Sequence, residues 1–278
     1  AYSAEEVERA VGLCGELGLE VVPLVQTFGH LEFVLKHGSF AAAREDPESF
    51  MDLCPEAPDA SLLAEELIRQ TVALHPTSTR IHVGCDEVFS LGSHPRSRAV
   101  SQVRSLPSLF LQHALVSCRV ARSLSLTPLL WHDMLGEAGE RELWELGRVA
   151  AEVVVWSYGT EVGAGVDMAL FGKLEAAGVP VWGASAWRGA SAPDAIHTPI
   201  ARHVANHESW LQVAKATPLR GLILTGWARF NHTAALCESL PSGLPCLALC
   251  LATWRNGACD QTTIQHVTSS LGLSSLPL

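Results

Sequence analysis

The stretch Arg80-Ile-His-Val-Gly-Cys-Asp-Glu87 does most to define the fold of this 278-residue chain. It is an apolar run that ends in two adjacent carboxylates, and Gly84 permits close approach of a backbone or ligand. Five other runs are rich in Val, Leu or Ile with little polar alternation, which is typical of parallel strands covered on both faces. The six predicted strands span residues 19–25, 80–85, 128–131, 152–156, 179–184 and 221–225.

Amphipathic stretches separate these runs and predict helices. Ser3 followed by Glu6 forms a capping-box start, and Gly18 is a suitable stop for that first helix. Further helices are predicted over residues 61–74, 106–123, 166–177, 200–214 and 234–254. The repeated strand-then-helix order indicates a parallel α/β protein, with residues 1–278 forming a single domain that ends in a C-terminal helix.

Two parallel architectures fit this order, a doubly wound sheet and a (β/α)8 TIM-type barrel. A doubly wound nucleotide-binding protein carries a glycine-rich turn after its first strand, whereas Gln26-Thr-Phe-Gly-His30 follows the first run here. Polar or aromatic residues cluster beyond several of the predicted strands, as ligand-binding groups do in barrels. The sequence therefore favours a barrel, although it supplies about six of the eight strand–helix units that closure requires.

Composition excludes several function classes. Lys plus Arg number 19 against 29 Asp plus Glu, a net charge of −10, so nucleic acid is not an expected partner. The eight cysteines contain no C-x-x-C pair, and we expect free thiols in a reducing compartment, with no metal and no cofactor. No apolar run approaches 20 residues, and no signal peptide is visible, so a membrane is not expected either.

Asp86 and Glu87 are the strongest candidates for chemistry. Two neighbouring carboxylates at the end of a strand perturb each other's pKa, which lets one act as an acid while the other stays ionised. The alternative is an acidic pair at a helix start, where it interacts favourably with the helix dipole. Spacing alone leaves both interpretations open.

The pattern His82-x-Gly84-x-Asp86-Glu87 resembles the H-x-G-x-D-E signature of the family-20 glycoside hydrolases, the β-N-acetylhexosaminidases. Residues 23–36 and Leu224-Thr-Gly-Trp227 extend the resemblance over nearly the whole chain. It begins at the third strand of the family's barrel. The resemblance therefore implies a barrel that lacks its first two strand–helix units in this sequence, in agreement with the count of six.

The resemblance implies a retaining exo-glycosidase that releases terminal non-reducing β-linked N-acetylhexosamine, GalNAc or GlcNAc, by substrate-assisted catalysis. Glu87 would act as general acid and then general base, while Asp86 would orient the 2-acetamido group. It also implies a substrate-binding set of Gln26, His30, Trp131, Asp133, Trp156, Tyr158 and Trp227. Core packing for each Trp, helix capping for Asp133 and a structural role for His30 are the alternatives.

Two positions fall outside the family's pattern. Arg229 stands where the family commonly places a Glu that binds sugar hydroxyls, which leaves the choice between GalNAc and GlcNAc open. Trp187 has no firm counterpart, and we expect it at the rim of the site. The resemblance further implies a location in cytoplasm and nucleus, and a homodimer is an option that the sequence leaves open.

Two other functions compete with hydrolysis by an acid pair. One is a catalytically impaired barrel that binds glycans without turning them over, because an incomplete scaffold fails to position Glu87. The other is a metal hydrolase that uses His82, Asp86 and Glu87, although alternation along a strand points Glu87 away from the other two. His203 and His207, four residues apart, resemble a metal pair, but a solvated helix face is the preferred interpretation.

Overall fold

The computed structural model describes residues 2–276, which form two compact units. The first unit comprises residues 2–154 and 173–180, and the second comprises residues 155–172 and 181–276. In the described part of the chain no helix is both long enough and apolar enough to cross a bilayer.

Helices and strands alternate along most of the chain. The strands are β1 (Arg80–His82), β2 (Thr127–Trp131), β3 (Glu152–Trp156), β4 (Val181–Arg188) and β5 (Leu219–Gly226). The helices are α1 (Ala4–Glu16), α2 (Glu32–Leu35), α3 (Ala60–Ala73), α4 (Pro95–Ser101), α5 (Leu106–Ser123), α6 (Glu140–Arg148), α7 (Ala169–Ala176), α8 (Ile200–Ala216), α9 (Leu240–Asn256) and α10 (Gln261–Ser270). Short 3₁₀ turns occupy Gly38–Ala43, Asp133–Leu135 and Val162–Ala164.

The strands pair in parallel, in the order in which they occur in the chain. In the first unit β1 pairs with β2, and β2 pairs with β3, with Leu130 opposite Val153. In the second unit the backbone N–H of Ser157, directly after β3, donates to the carbonyl of Ala184 in β4 at 3.0 Å. β4 in turn pairs with β5. The predicted parallel α/β class is therefore confirmed.

The first predicted strand, residues 19–25, is wrong. Only Leu24 forms a bridge, to His82, through the bonds Val25 N to His82 O (3.0 Å) and His82 N to Pro23 O (2.8 Å). Pro23 has no N–H to donate, and a strand ladder cannot continue through it on a paired side. The exposed side chain of Leu24 also removes the burial that the apolar run suggested.

The strand before the acidic pair is shorter than predicted. β1 ends at His82 rather than at Cys85, because the next residues leave extended conformation. Gly84, Cys85 and Glu87 have φ values of 72°, 71° and 52°. This left-handed backbone is inexpensive for glycine alone and cannot belong to a strand.

Several helix predictions are confirmed. α5 has the predicted bounds, and α3 and α8 agree at their starts within one residue. The Ser3–Glu6 capping box is present at the start of α1. α9 begins at Leu240 rather than at residue 234, because the Asn231 side chain accepts the N–H groups of Thr233 and Ala234 in a turn.

Two expectations about the second unit are wrong. Trp187 does not line a rim: it lies within β4, is 9% exposed and packs with Ile200 and Leu249 in the core. His203 and His207 are fully buried rather than solvated. His207 Nε2 lies 2.9 Å from Ser185 Oγ, and burial lowers the pKa of His207 to about 4.

Candidate active site

The turn that follows β1 carries the two acidic residues, and its backbone is left-handed at Gly84, Cys85 and Glu87. The N–H of Gly84 donates to His82 Nδ1 at 3.0 Å, and the N–H of Cys85 donates to Gln26 Oε1 at 3.2 Å. A Cβ at Gly84 would overlap the Gln26 side-chain amide, so only glycine fits. Non-glycine residues in left-handed backbone cost of order 1 kcal/mol or more each and persist where the surroundings fix them. The strain marks this turn as a candidate functional element.

Asp86 is held by two side chains of the segment that follows Pro23. Gln26 Nε2 donates to Asp86 Oδ1 at 2.8 Å, and His30 Nε2 lies 3.2 Å from Oδ2. Gly29 allows this approach, since a Cβ there would meet the Asp86 carbonyl oxygen. Burial alone would raise the pKa of Asp86, but the bonds and charge supplied by His30 and the Gln26 bond lower it. Asp86 is therefore an ionised acceptor.

One nitrogen of His30 serves both acidic residues. His30 Nε2 also lies 3.3 Å from Glu87 Oε2, and the His30 side chain is 8% exposed. Burial favours the neutral ring, yet the hydrogen bonds and charges of Asp86 and Glu87 outweigh it and raise the pKa of His30 to about 10. His30 itself has a φ of 55°. At neutral pH a His30 imidazolium therefore lies within hydrogen-bond distance of both Asp86 and Glu87.

Glu87 differs from Asp86 in exposure and support. Its side chain is 37% exposed against 16% for Asp86. Its backbone N–H donates to Asp133 Oδ2 at 2.8 Å, so the residue two positions after β2 fixes the backbone of Glu87. The more open carboxyl is the one placed to meet a substrate oxygen, and the enclosed one is placed to hold a charge.

Trp131 completes this group at the end of β2. Its backbone N–H donates to the Gly84 carbonyl at 3.0 Å, and its ring centroid lies 4.3 Å from that of His82. Burial lowers the pKa of His82 to about 3, so the ring stays neutral. Within residues 2–276, His82, Asp86 and Glu87 do not form a compact set of metal ligands. The metal-hydrolase alternative built on these three residues is therefore not supported by their positions.

The remaining predicted residues belong to the second unit. Trp156 is the last residue of β3 and stacks on Tyr158, with ring centroids 5.3 Å apart. Trp227 directly follows β5 and is 39% exposed. Arg229 is exposed and donates from Nη1 to the Ala234 carbonyl at 2.6 Å, within its own loop. The structure thus gathers Gln26, His30, Asp86, Glu87, Trp131 and Asp133 in the first unit and places Trp156, Tyr158 and Trp227 in the second.

Sequence reasoning missed the supports beneath the segment that carries Gln26 and His30. Thr27 is fully buried, and its hydroxyl donates to the Val83 carbonyl at 2.8 Å. His113 Nε2 lies 3.0 Å from the Thr27 carbonyl, and Ser117 Oγ donates to Thr27 Oγ1 at 3.1 Å. The available signal was His113 and Ser117, two polar residues on the buried face of α5, a helix whose bounds the sequence predicted correctly.

Comparison with known proteins identifies the chain's relatives, although no family model matches it. It is 42% identical to Hexosaminidase D of Homo sapiens over 99% of this chain and 59% of that protein. It is 41% identical to Hexosaminidase D of Bos taurus over 99% of this chain and 82% of that protein. The chain therefore spans about three-fifths of the human relative's length.

Solved structures show the same fold at low identity. A chitobiase from Flavobacterium johnsoniae aligns with a TM-score of 0.63 and 15% identity, over 99% of this chain and 43% of that one. Dispersin B aligns with a TM-score of 0.55 and 14% identity, over 81% of this chain and 69% of that one. The relationship inferred from the acidic motif is confirmed by the curated relatives: the chain belongs to the hexosaminidase D family.

Proposed function

We propose that this chain is a β-N-acetylhexosaminidase that hydrolyses terminal non-reducing β-linked GalNAc or GlcNAc from glycans and glycoconjugates. The observation that carries the proposal is the bridging of Asp86 and Glu87 by one imidazolium, His30 Nε2, at 3.2 and 3.3 Å. The hexosaminidase names of the curated relatives support the same reaction.

The two carboxyl groups have different roles in this proposal. Asp86 accepts donors at both oxygens and is held ionised, which suits an anion that receives the acetamido N–H and balances developing positive charge. Glu87 presents the more exposed carboxyl and donates a proton to the leaving glycosidic oxygen. His30 and Asp133 act on this pair by fixing its position, and Gln26, whose amide binds Asp86 and Cys85, acts in the same way.

The proposed reaction proceeds in two steps with retention at the anomeric carbon. First, the acetamido oxygen forms a bond to the anomeric carbon as the glycosidic bond breaks, and the Glu87 proton passes to the leaving oxygen. The acetamido nitrogen loses no proton in forming the oxazolinium ion, which Asp86 stabilises. Second, water attacks the anomeric carbon, its proton returns to Glu87, and the bond to the acetamido oxygen breaks.

Aromatic residues supply the apolar surface that an acetamido methyl and a sugar face need. We propose this role for Trp131, Trp156 and Trp227, with Tyr158 donating to the acetamido oxygen. The positions of Trp131 and Trp156 at the last residue of a strand support it, because ligand groups in barrels lie at the carboxyl ends of strands.

We also propose that the complete fold is a (β/α)8 barrel whose first two strand–helix units are absent from this sequence. The parallel order of β1 to β3 and of β4 with β5 supports this, as does the likeness to the solved structures of the chitobiase and Dispersin B. α1 buries none of its residues, and Leu13 and Leu17 are 56% and 66% exposed. Such apolar side chains are those that a further helix would cover.

The dependence of turnover on the substrate's acetamido group tests this mechanism. Nitrophenol release would be compared for the β-N-acetylglucosaminide, its trifluoroacetyl analogue and the β-glucoside, which lacks the acetamido group. We expect a steep fall with fluorination and no release from the glucoside, because both changes weaken or remove the nucleophile. ¹H NMR of the first-formed sugar should show the β-anomer. Equal rates on all three substrates, or the α-anomer, would contradict the proposal, and binding without release would favour the glycan-binding alternative.

A further inference from the structure

Two buried carboxylates outside the predicted site hold the loop that follows Glu87. Glu45 is 0% exposed and its Oε1 accepts the N–H groups of Gly92 (2.7 Å) and His94 (3.1 Å). Asp52 is 3% exposed and its Oδ2 accepts both the N–H and the hydroxyl of Ser90, at 2.9 and 2.6 Å. Burying a carboxylate is costly unless hydrogen bonds and a cation compensate it. The burial of Glu45 and Asp52 is therefore a cost that their contacts must offset.

Asp52 lies on a segment that is hydrogen-bonded to the segment of His30. Leu31 N donates to the Met51 carbonyl at 2.8 Å, and Leu53 N donates to the Phe28 carbonyl at 3.0 Å. These two bonds flank both residues and hold the segment around Asp52 against the segment that carries His30. Asp52 Oδ1 is buried and has no hydrogen-bond partner among residues 2–276.

Charge links Asp52 to the same imidazolium that bridges the acidic pair. Burial and the negative charge of Glu45 raise the pKa of Asp52. The hydrogen bonds from Ser90 and the positive charge of His30 oppose that rise. Besides Asp86 and Glu87, the Glu32 carboxylate also lies near His30, within 4.8 Å of a ring nitrogen. Asp52 thus belongs to the group of acids around His30, and it is the member that also contacts the loop behind Glu87.

We propose that Asp52 is a positioning residue for the acidic pair. Through Ser90 it fixes the backbone three residues beyond Glu87, and through its negative charge it helps to hold His30 protonated against Asp86 and Glu87. The catalytic part of this inference rests on the proposed function, whereas the coupling of Asp52 to His30 does not depend on it.

Three variants separate the two effects. Asp52→Asn keeps the shape and an acceptor for Ser90 but removes the charge. Ser90→Ala removes the hydroxyl bond and leaves the charge. Glu45→Gln is the matched control, because it neutralises the other buried carboxylate that holds the same loop. Each chain is titrated by ¹H–¹⁵N NMR of the His30 ring, assigned with His30→Gln, over a pH range that extends to about 11.5, because the His30 pKa is about 10. Each chain is also assayed for kcat and KM on the nitrophenyl β-N-acetylglucosaminide from about pH 4 to about pH 11.

The charge effect predicts that Asp52→Asn lowers the midpoint of the His30 titration by roughly one pH unit. Ser90→Ala and Glu45→Gln should leave that midpoint within about 0.3 unit of the wild-type value, since both retain the Asp52 charge. Asp52→Glu, which restores the charge, should return the midpoint toward that of wild type. An unchanged midpoint in Asp52→Asn would overturn the charge coupling, even if the chain proves to have no hydrolase activity.

We expect Ser90→Ala to lower kcat by about three- to tenfold because it loses the hydroxyl bond that positions the loop, while KM changes less than about twofold. We expect a kcat loss of about the same size in Asp52→Asn, because the charge that helps to hold His30 protonated is lost. The alkaline limb of the kcat profile should move to lower pH in Asp52→Asn alone. If Asp52→Asn does not fold, Ser90→Ala decides this part, and an unchanged kcat would overturn it. Absence of turnover in the wild-type chain would refute the proposed function instead.

Discussion

Replacing His30 by Gln perturbs the charge that joins Asp86 to Glu87, and its effect on stability can be worked out from the structure. Folding raises the pKa of His30 from 6.5 to about 10. Each pH unit between these values corresponds to about 1.4 kcal/mol, so the imidazolium contributes about 5 kcal/mol when its effect is complete. The His30 side chain is 8% exposed, so water screens this interaction little.

The sign of the pH dependence follows from linkage. Because the folded-state pKa is the higher one, the folded chain keeps a proton that the unfolded chain loses above pH 6.5. The stabilisation is therefore complete below pH 6.5 and disappears as the pH rises through about 10. Between pH 6 and pH 9.5 the advantage of wild type over His30→Gln should shrink by about 4 kcal/mol.

Urea unfolding at pH 6, 7, 8, 9 and 9.5 measures this difference. His266→Gln, an exposed substitution on α10, is the matched control and should change the unfolding free energy by no more than about 0.5 kcal/mol at any of these pH values. A difference in unfolding free energy between wild type and His30→Gln that stays constant with pH, or that grows toward pH 9.5, would contradict this charge effect.

Three further predictions concern stability. Gly84→Ala should lower the free energy of urea unfolding by about 2 kcal/mol or more, because the new Cβ would overlap Gln26 and the φ of residue 84 is 72°. Gly172→Ala in α7, where the space is open, should raise that free energy by about 0.5–1 kcal/mol. Equal effects of the two substitutions would contradict this prediction. His82→Gln should make the chain less sensitive to acid, because burial lowers the pKa of His82 to about 3 and the wild-type ring resists protonation in the folded state. Between pH 6 and pH 4 the unfolding free energy of wild type should fall by about 2–3 kcal/mol more than that of the variant, and parallel curves of unfolding free energy against pH would refute this. Ser3→Ala should lower hydrogen-exchange protection in α1 by about 1 kcal/mol, and unchanged protection would exclude a stabilising cap.

The fold was predictable where local signals agreed with tertiary packing. α5 has capping Ser105, an amphipathic face and an apolar strand after it, and its bounds were predicted correctly. The run at residues 19–25 has the composition of a strand, but Pro23 has no backbone N–H to donate to a neighbouring strand. The apolar side chains of this run are also largely exposed. Whether an apolar run is paired and covered depends on segments distant in sequence, which composition does not show.

The candidate site was predictable where its parts lie together in sequence. Asp86 and Glu87 are adjacent in the turn that follows β1, and His30 lies in a segment with its own recognisable pattern. Asp52 and Ser90 are 38 residues apart, and no spacing rule links them. Similarly, His203 on α8 is buried by residues that are distant from it in the chain, so a pattern of polar spacing suggested the wrong, solvated face.

The most direct test of the central claim is nitrophenol release from the β-N-acetylgalactosaminide and β-N-acetylglucosaminide by wild type, Glu87→Gln and Glu175→Gln. Glu175 is exposed on α7 and serves as the matched control. If Glu87 donates the proton to the leaving group, Glu87→Gln should lose at least about 100-fold in kcat, and Glu175→Gln should match wild type. Equal release by Glu87→Gln and wild type would contradict the assignment of the acidic pair as the catalytic centre.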